Sequence, residues 1–309
     1  TLRTHEEYRS RFMNLFGSPN QLGHSRICMG SRSVIGDIIA GRFSNFAIKE
    51  STRCIALLGV EPLLSRPWVA KTMRDAKKRG AKLIVLDPRE TRSARMADIW
   101  LRVRPGTDAA VLLGMINVII SEKLYDREFV TKWCYGFDSL KARVAEYPPE
   151  VASAISHVPA EQIKAAAKMY AQNRPGTFIE GMGIEHTYNA GPILHARWIL
   201  AALANNIDVE GGEEQAIPSD IITNREIEMA EAMSPSQWRK MFGAKEHSIF
   251  SYDVQKLVVE AQTKVFGKPG GSWFLTCQGH APLAYRAAIT GKPYPVKTFI
   301  TQAGNPMVT

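Results

Sequence analysis

Residues 81–108 read AKLIVLDPRETRSARMADIWLRVRPGTD. Two short apolar runs, 81–86 and 99–103, each break off at a proline-bearing loop, Asp87-Pro88 and Pro105-Gly106. Continuous apolar runs of this length, bounded by turn residues, predict strands buried on both faces, as in a parallel sheet. Thr107 is placed to cap the helix that follows, with Asp108 in its first turn, where the helix dipole favours a carboxylate. Working outward, RCIALLG at 53–59 predicts a further strand, and 67–79 has helical spacing closed by Gly80. Downstream, 109–120 predicts a buried helix. Helical patterning continues over 126–171, broken at Gly136 and Pro148-Pro149 and restarted at Val158-Pro159-Ala160-Glu161. Residues 177–180 predict a strand ending in Gly181-Met182-Gly183, and 192–205 a helix. Residues 213–250 are polar and irregular, and 272–277 and 297–301 read as strands around a helix near 282–289. This βαβ rhythm predicts an α/β fold, a mostly parallel sheet with helices on its faces.

The 309 residues, 45% hydrophobic and 22% charged, suffice for two moderate domains or one large one. No apolar run approaches the roughly 18–20 residues that span a bilayer, so membrane insertion is not expected. The opening TLRTHEEYRS has no secretory leader pattern, and the missing initiating Met suggests a piece of a longer polypeptide. The net charge of +9 raises nucleic acid as a partner, but no helix-turn-helix or zinc-finger spacing is present. The basic residues fall in short clusters, Lys77-Lys78-Arg79 and then Arg89, Arg92, Arg95, Arg102 and Arg104, which read either as solvated surface or as phosphate sites. The four cysteines form no CxxC pair, which argues against zinc or iron–sulfur frameworks in this segment. Cys54, Cys134 and Cys277 sit in apolar contexts and read as core. Cys28 lies in a polar, glycine-bracketed stretch, GHSRICMGS at 23–31.

Three sets of residues are candidates for chemistry. Ligands of open α/β sheets bind beyond the carboxyl ends of the strands. Four such ends carry Gly59, Glu61 and Pro62; Asp87, Arg89 and Thr91; Pro105, Gly106 and Asp108; and Gly304, Asn305 and Pro306. Glycines admit close backbone approach to phosphate, Arg89 and Thr91 can donate to it, and Asp108 can accept two N–H bonds from a guanine edge. Taken singly, each loop is equally an ordinary turn. Cys28 offers a soft thiolate ligand for a metal, or a nucleophile with His24 and Arg26 beside it. Gly181 and Gly183 open a turn where a large ligand can approach, and His186 follows; a tight strand-to-loop turn with an exposed His explains the same residues.

The order of these pieces resembles the dimethyl sulfoxide reductase family of molybdopterin oxidoreductases. Gly17-Ser18-Pro19-Asn20 before Ile27-Cys28-Met29-Gly30 is similar to the segment that delivers that family's protein ligand to the metal. Similar too are LDPR at 86–89 with Thr91 and Ala94, RPGTD at 104–108, LYD at 124–126, VPAEQI at 158–163, GMG at 181–183, NID at 206–208 with Gly211-Gly212, and QAGNP at 302–306. The resemblance covers most of the chain outside roughly 213–270. It implies two Rossmann-like three-layer α/β domains, and two molybdopterin guanine dinucleotides around one Mo or W, with Cys28 as metal ligand. Residues 29–235 are expected to form one pterin-dinucleotide domain, and 1–28 with 236–309 part of the other, with 304–306 as its binding loop. His186 and Arg26 are expected to orient substrate or move protons. At the first loop the family often has Gly-x-Asn-Pro, and Glu61 stands where that Asn would be. The resemblance further implies a 4Fe-4S cluster in a preceding domain, a small-molecule substrate, an electron-transfer subunit, and a cytoplasmic or periplasmic place in a prokaryote. A non-redox hydratase of the same family, a polyanion-binding module without chemistry, and a metal-free cysteine-nucleophile enzyme are the alternative functions.

Overall fold

The structure, a computed structural model, describes residues 4–23, 26–41, 47–214, 224–269 and 273–302, without the side chains of 4, 5, 26, 27, 274 and 275. In chain order the helices are α1 (Thr4–Phe16), α2 (Ser31–Ile39), α3 (Pro62–Ser65), α4 (Pro67–Lys78), α5 (Arg92–Met96), α6 (Asp108–Ser121), α7 (Arg127–Trp133), α8 (Phe137–Val144), α9 (Pro149–Ser156), α10 (Ala160–Gln172), α11 (Met182–Glu185), α12 (Ala190–Leu203), α13 (Asn224–Glu228), α14 (Pro235–Trp238), α15 (Tyr252–Phe266), α16 (Trp273–Thr276) and α17 (Ala281–Thr290). The strands are β1 (Cys54–Leu58), β2 (Lys82–Leu86), β3 (Ile99–Leu101) and β4 (Gly176–Glu180). None of these helices is long and apolar enough to cross a membrane.

Two compact units result, residues 27–217 and residues 1–26 with 218–309. In the second unit, Asn14 of α1 donates to the Glu228 carbonyl of α13 at 2.8 Å.

In the unit 27–217 the four strands are all parallel, in the order β3-β2-β1-β4. Every residue of β1 is buried, and all of β2 but its first residue, as expected of doubly covered strands; at the sheet edge, β3 is less covered, with Ile99 and Trp100 part-buried. Successive side chains alternate between faces. Cys54, Ala56 and Leu58 join Ile84 and Leu86 in a core with α6, α10 and α12. Ile55 and Leu57 join Leu83, Val85 and Ile179 against Val69, Met73 and Ala76 of α4. Helix α6 is apolar almost all round because it is buried almost all round. Where it crosses its neighbours, a Cβ on Gly114 would stand 2.8 Å from the Ala152 Cβ, so glycine sets how closely α6 and α9 pack.

The regular elements among the described residues of the other unit are helices. Trp238 stacks on Tyr252, which stacks on Trp273, with centroids 5.0 and 5.1 Å apart. Two sequence expectations fail here. Trp273–Thr276, within the strand expected at 272–277, is a helical turn. Its first N–H donates to the Glu228 carboxylate at 2.6 Å, and Cys277 N–H closes back on the Trp273 carbonyl at 2.7 Å. Local capping and ring stacking outweigh the apolar strand pattern. Residues 297–301 form no strand, and Phe299 and Ile300 are exposed. A strand needs a neighbouring ladder, and none runs beside them among the described residues.

Candidate functional site

The strand order reverses at β1: the first two crossovers move outward to β2 and β3, and the third returns to place β4 on the other flank of β1. Such a reversal opens the crevice in which open α/β sheets hold ligands. The residues at this point are Gly59, after β1, and Gly181 and Gly183, after β4. Gly59 has φ +56°, a backbone conformation that favours glycine. A Cβ on Gly181 would lie 2.3 Å from the Gly59 carbonyl oxygen, and one on Gly183 would lie 2.9 Å from the Gly59 Cα. The three glycines therefore admit each other's backbone, as a tight strand-to-loop turn requires.

Glu61 has protein partners of its own. It is buried and caps α3, accepting from Leu63 N–H at 3.0 Å. Its carboxylate also accepts from the Ser93 N–H at 3.0 Å and the Ser93 hydroxyl at 2.8 Å. Burial pushes its pKa up, but the donors from Ser93, Thr91 and Leu63 outweigh burial and hold it below the usual carboxylate range. Glu61 ties the β1 loop to the start of α5. Beside it, Pro62 opens α3 at a position that needs no N–H donor.

In the β2 loop, Asp87 is buried and accepts from Arg89 N–H at 2.8 Å, while the Arg89 guanidinium is 74% exposed with its Nε 3.6 Å from the same carboxylate. The Thr91 hydroxyl caps α5 by accepting from Ala94 N–H at 3.0 Å. The expected cap at Thr107 is not formed: its hydroxyl donates to the Arg104 carbonyl at 2.6 Å instead. Asp108 is buried. Burial first, and then the charge of Asp87, push its carboxyl up, against backbone N–H groups of Asp108 and Gly106. The charge of Asp87, after β2, thus acts on Asp108, after β3. Gly106 has φ +84°, and a Cβ there would meet only the Tyr188 ring at 3.8 Å, so this loop has open space in front of it. Pro105 borders an open cleft of about 670 Å³ that Arg102, Arg104 and His157 also line, so part of the basic excess gathers at one edge.

After β4, His186 is exposed at the end of α11. Asn189 donates to the Gly106 carbonyl at 3.0 Å, tying the β4 and β3 loops together. The structure thus brings the first three predicted loops and the 181–186 turn to one edge of the sheet. Gly304, Asn305, Pro306, His24 and the Arg26 side chain lie outside the described residues.

Cys28 is part-buried in a π-helical turn, Arg26–Gly30, which runs directly into α2. One turn on, Arg32 is buried in a charge network that the sequence reading missed. Its Nε lies 3.2 Å from Glu180 Oε2 at the end of β4, and its Nη2 pairs with Glu185 of α11. Glu180 is held from its other side by Arg197 of α12, whose Nη2 meets Glu213 at 2.6 Å. Glu213 in turn accepts from Phe178 N–H of β4 at 2.6 Å. Burial pushes the Glu185 carboxyl up, and Arg32 opposes it only in part. The available signal was a charge inside an apolar run: Glu180 ends a buried strand, and Arg197 interrupts AGPILHARWILAAL.

Known proteins share this architecture. The family model described as molybdopterin oxidoreductase matches residues 2–301. The acetylene hydratase of Syntrophotalea acetylenica is 37% identical over 301 residues, which are 96% of this chain and 41% of that enzyme. The molybdopterin-containing subunit of thiosulfate reductase from Salmonella typhimurium is 30% identical over 95% of this chain and 37% of its own. The solved structure of acetylene hydratase from Pelobacter acetylenicus superposes with a TM-score of 0.85 at 36% identity, covering 94% of this chain and 40% of that one. The chain thus spans about two fifths of the length of these relatives.

Proposed function

The chain belongs to the molybdopterin oxidoreductase family, and from that premise we propose that it is the central, cofactor-holding part of a molybdenum or tungsten bis-pterin enzyme, with Cys28 as metal ligand. The observation that carries the reading is the gathering of the β1, β2, β3 and β4 loops at one sheet edge, with a thiol-bearing turn anchored by Arg32 to that same edge.

The residues present fit a guanine dinucleotide. The buried Asp108 carboxyl, its pKa raised, gains from two N–H donors on one planar edge, which a guanine offers. The space in front of Gly106 leaves room for that ring, and the exposed Arg89 guanidinium can reach a phosphate. Residues 304–306 are proposed to hold the second dinucleotide, in a domain formed by 1–28 with 236–309. The metal–pterin group supplies oxygen-atom or two-electron transfer when bound. The chain's part is to offer a soft thiolate at Cys28, to exclude water along the packed glycine crossing, and to present His186 and Arg26 for orienting substrate or moving a proton. A small-molecule substrate, an electron-transfer subunit and a 4Fe-4S cluster outside these residues complete the proposal.

A second reading, a non-redox hydratase, is favoured by the likeness to acetylene hydratase over nearly the whole chain. The two separate by electron balance. An oxidoreductase couples substrate turnover to a viologen dye, whereas a hydratase adds water to an alkyne with no electron exchange.

The test uses the complete polypeptide purified with its cofactor. Elemental analysis should find one Mo or W per polypeptide. Cys28→Ala should lower turnover by about a thousandfold or more with the fold retained, and metal-edge X-ray absorption should lose one sulfur scatterer. Full activity without Mo or W, or unchanged turnover in Cys28→Ala, overturns the assignment.

A further inference from the structure

We propose that Arg32 is a positioning residue for Cys28, and that the buried chain Arg32–Glu180–Arg197–Glu213 is the mount that fixes the thiol against the end of β4. The proposal rests on the reading of Cys28 as ligand and adds the device that aims it.

Three observations carry it. First, Arg32 follows Cys28 by four residues, on the order of 6 Å along a helix, and is 4% exposed. Its guanidinium spans two carboxylates from two elements, Glu180 of β4 and Glu185 of α11. A planar fork held at both tines fixes orientation as well as distance. Second, Glu180 is not a lone anchor. Arg197 grips it from α12 with its guanidinium 3.9 Å from the Trp198 ring centre, and Glu213 closes the chain onto the backbone of β4. Third, α2 buries Arg32, Ser33 and Asp37 on the same helix as its core residue Val34, while Ile38 and Ile39 are exposed. Apolar burial of Val34, with Ile35 packed against the core, docks this nine-residue helix, and the charged contacts of Arg32 add a second constraint on its rotation.

Buried ion pairs add little net stability over apolar residues of the same volume, because desolvation offsets most of the attraction. What they add is direction. A thiol that must meet a metal at one distance gains from such a mount, whereas a helix that only fills a core does not.

The test reads the thiol in the complete polypeptide produced without molybdate or tungstate, so it does not depend on metal content. Iodoacetamide labelling at fixed pH, followed peptide by peptide, compares Cys28 with Cys134, which is also part-buried. Arg32→Met should raise the Cys28 labelling rate by about tenfold or more and leave Cys134 within about twofold; Arg32→Lys should recover part of the protection. Because Arg32→Met leaves two buried carboxylates short of a partner, the double variant Arg32→Met/Glu185→Met replaces the pair with apolar volume and keeps the fold. It should expose Cys28 likewise. A Cys28 rate unchanged in the folded double variant, or a parallel rise at Cys134, overturns the proposal. Failure of the ligand assignment itself shows elsewhere, as unchanged sulfur coordination of the metal in Cys28→Ala.

Discussion

Glu61 shows how one buried side chain can organise a strand-end loop. Its carboxylate receives three donors and joins two strand-end loops that otherwise share no backbone ladder. Removing it leaves the Ser93 and Leu63 donors without their acceptor. Glu61→Ala should cost about 2–3 kcal/mol, the usual range for losing hydrogen bonds to a buried charge, measured by guanidinium unfolding at pH 7. The sign of the pH effect follows from the depressed pKa. Stability from Glu61 is fully present above its ordinary value of 4.5 and is lost as pH falls through the folded value. Glu61→Gln should therefore be less stable than the parent at pH 7, and the gap should close as the pH drops below 4.5. An equal gap at both pH values would mean that the carboxylate's charge does not contribute.

Between elements, the crossing of the β1 and β4 loops is governed by glycine. Gly181→Ala places a methyl 2.3 Å from a backbone oxygen that cannot swing aside. It should destabilise by about 2 kcal/mol or more, as overpacking against rigid neighbours does. Gly191, in the first turn of α12, has nothing within 4 Å of its Cβ direction. Gly191→Ala should be neutral or stabilise by about 0.5 kcal/mol through the unfolded chain's lost freedom. Thermal melts of the two variants check both, and a neutral Gly181→Ala would mean the loops part more easily than their contact indicates. Both glycines sit at the ends of regular elements and look alike in sequence. Only the backbone that faces each one separates a required glycine from a permissive one.

Across the whole 27–217 unit, the charge network links α2, β4, α11, α12 and the segment at Glu213. Arg197→Met removes the cation shared by Glu180 and Glu213; Glu180 keeps Arg32 and Glu213 keeps the Phe178 N–H, but each buried carboxylate loses a charged partner. The expected loss is about 3–5 kcal/mol in denaturant unfolding, the range for breaking a buried pair from one side. A loss below about 1 kcal/mol would show that water or rearrangement satisfies those acids. The sequence by itself determined the parallel α/β class, the places of β1 to β4 within a residue or two, and the loops that meet at their ends. Those features rest on local rules, apolar run length and turn chemistry, which each segment carries within itself. It also singled out Cys28, through the order of motifs more than through the cysteine's own surroundings. The sequence misread 272–277 and 297–301, where apolar character is local but strand pairing is not. It also missed Arg32, Glu180, Glu185, Arg197 and Glu213. These five are spread over some 180 positions, and nothing in the spacing of one predicts another. Tertiary structure decided their partnership, because a buried charge is stable only beside its counter-charge, and which charges become neighbours is settled when the helices close over the sheet.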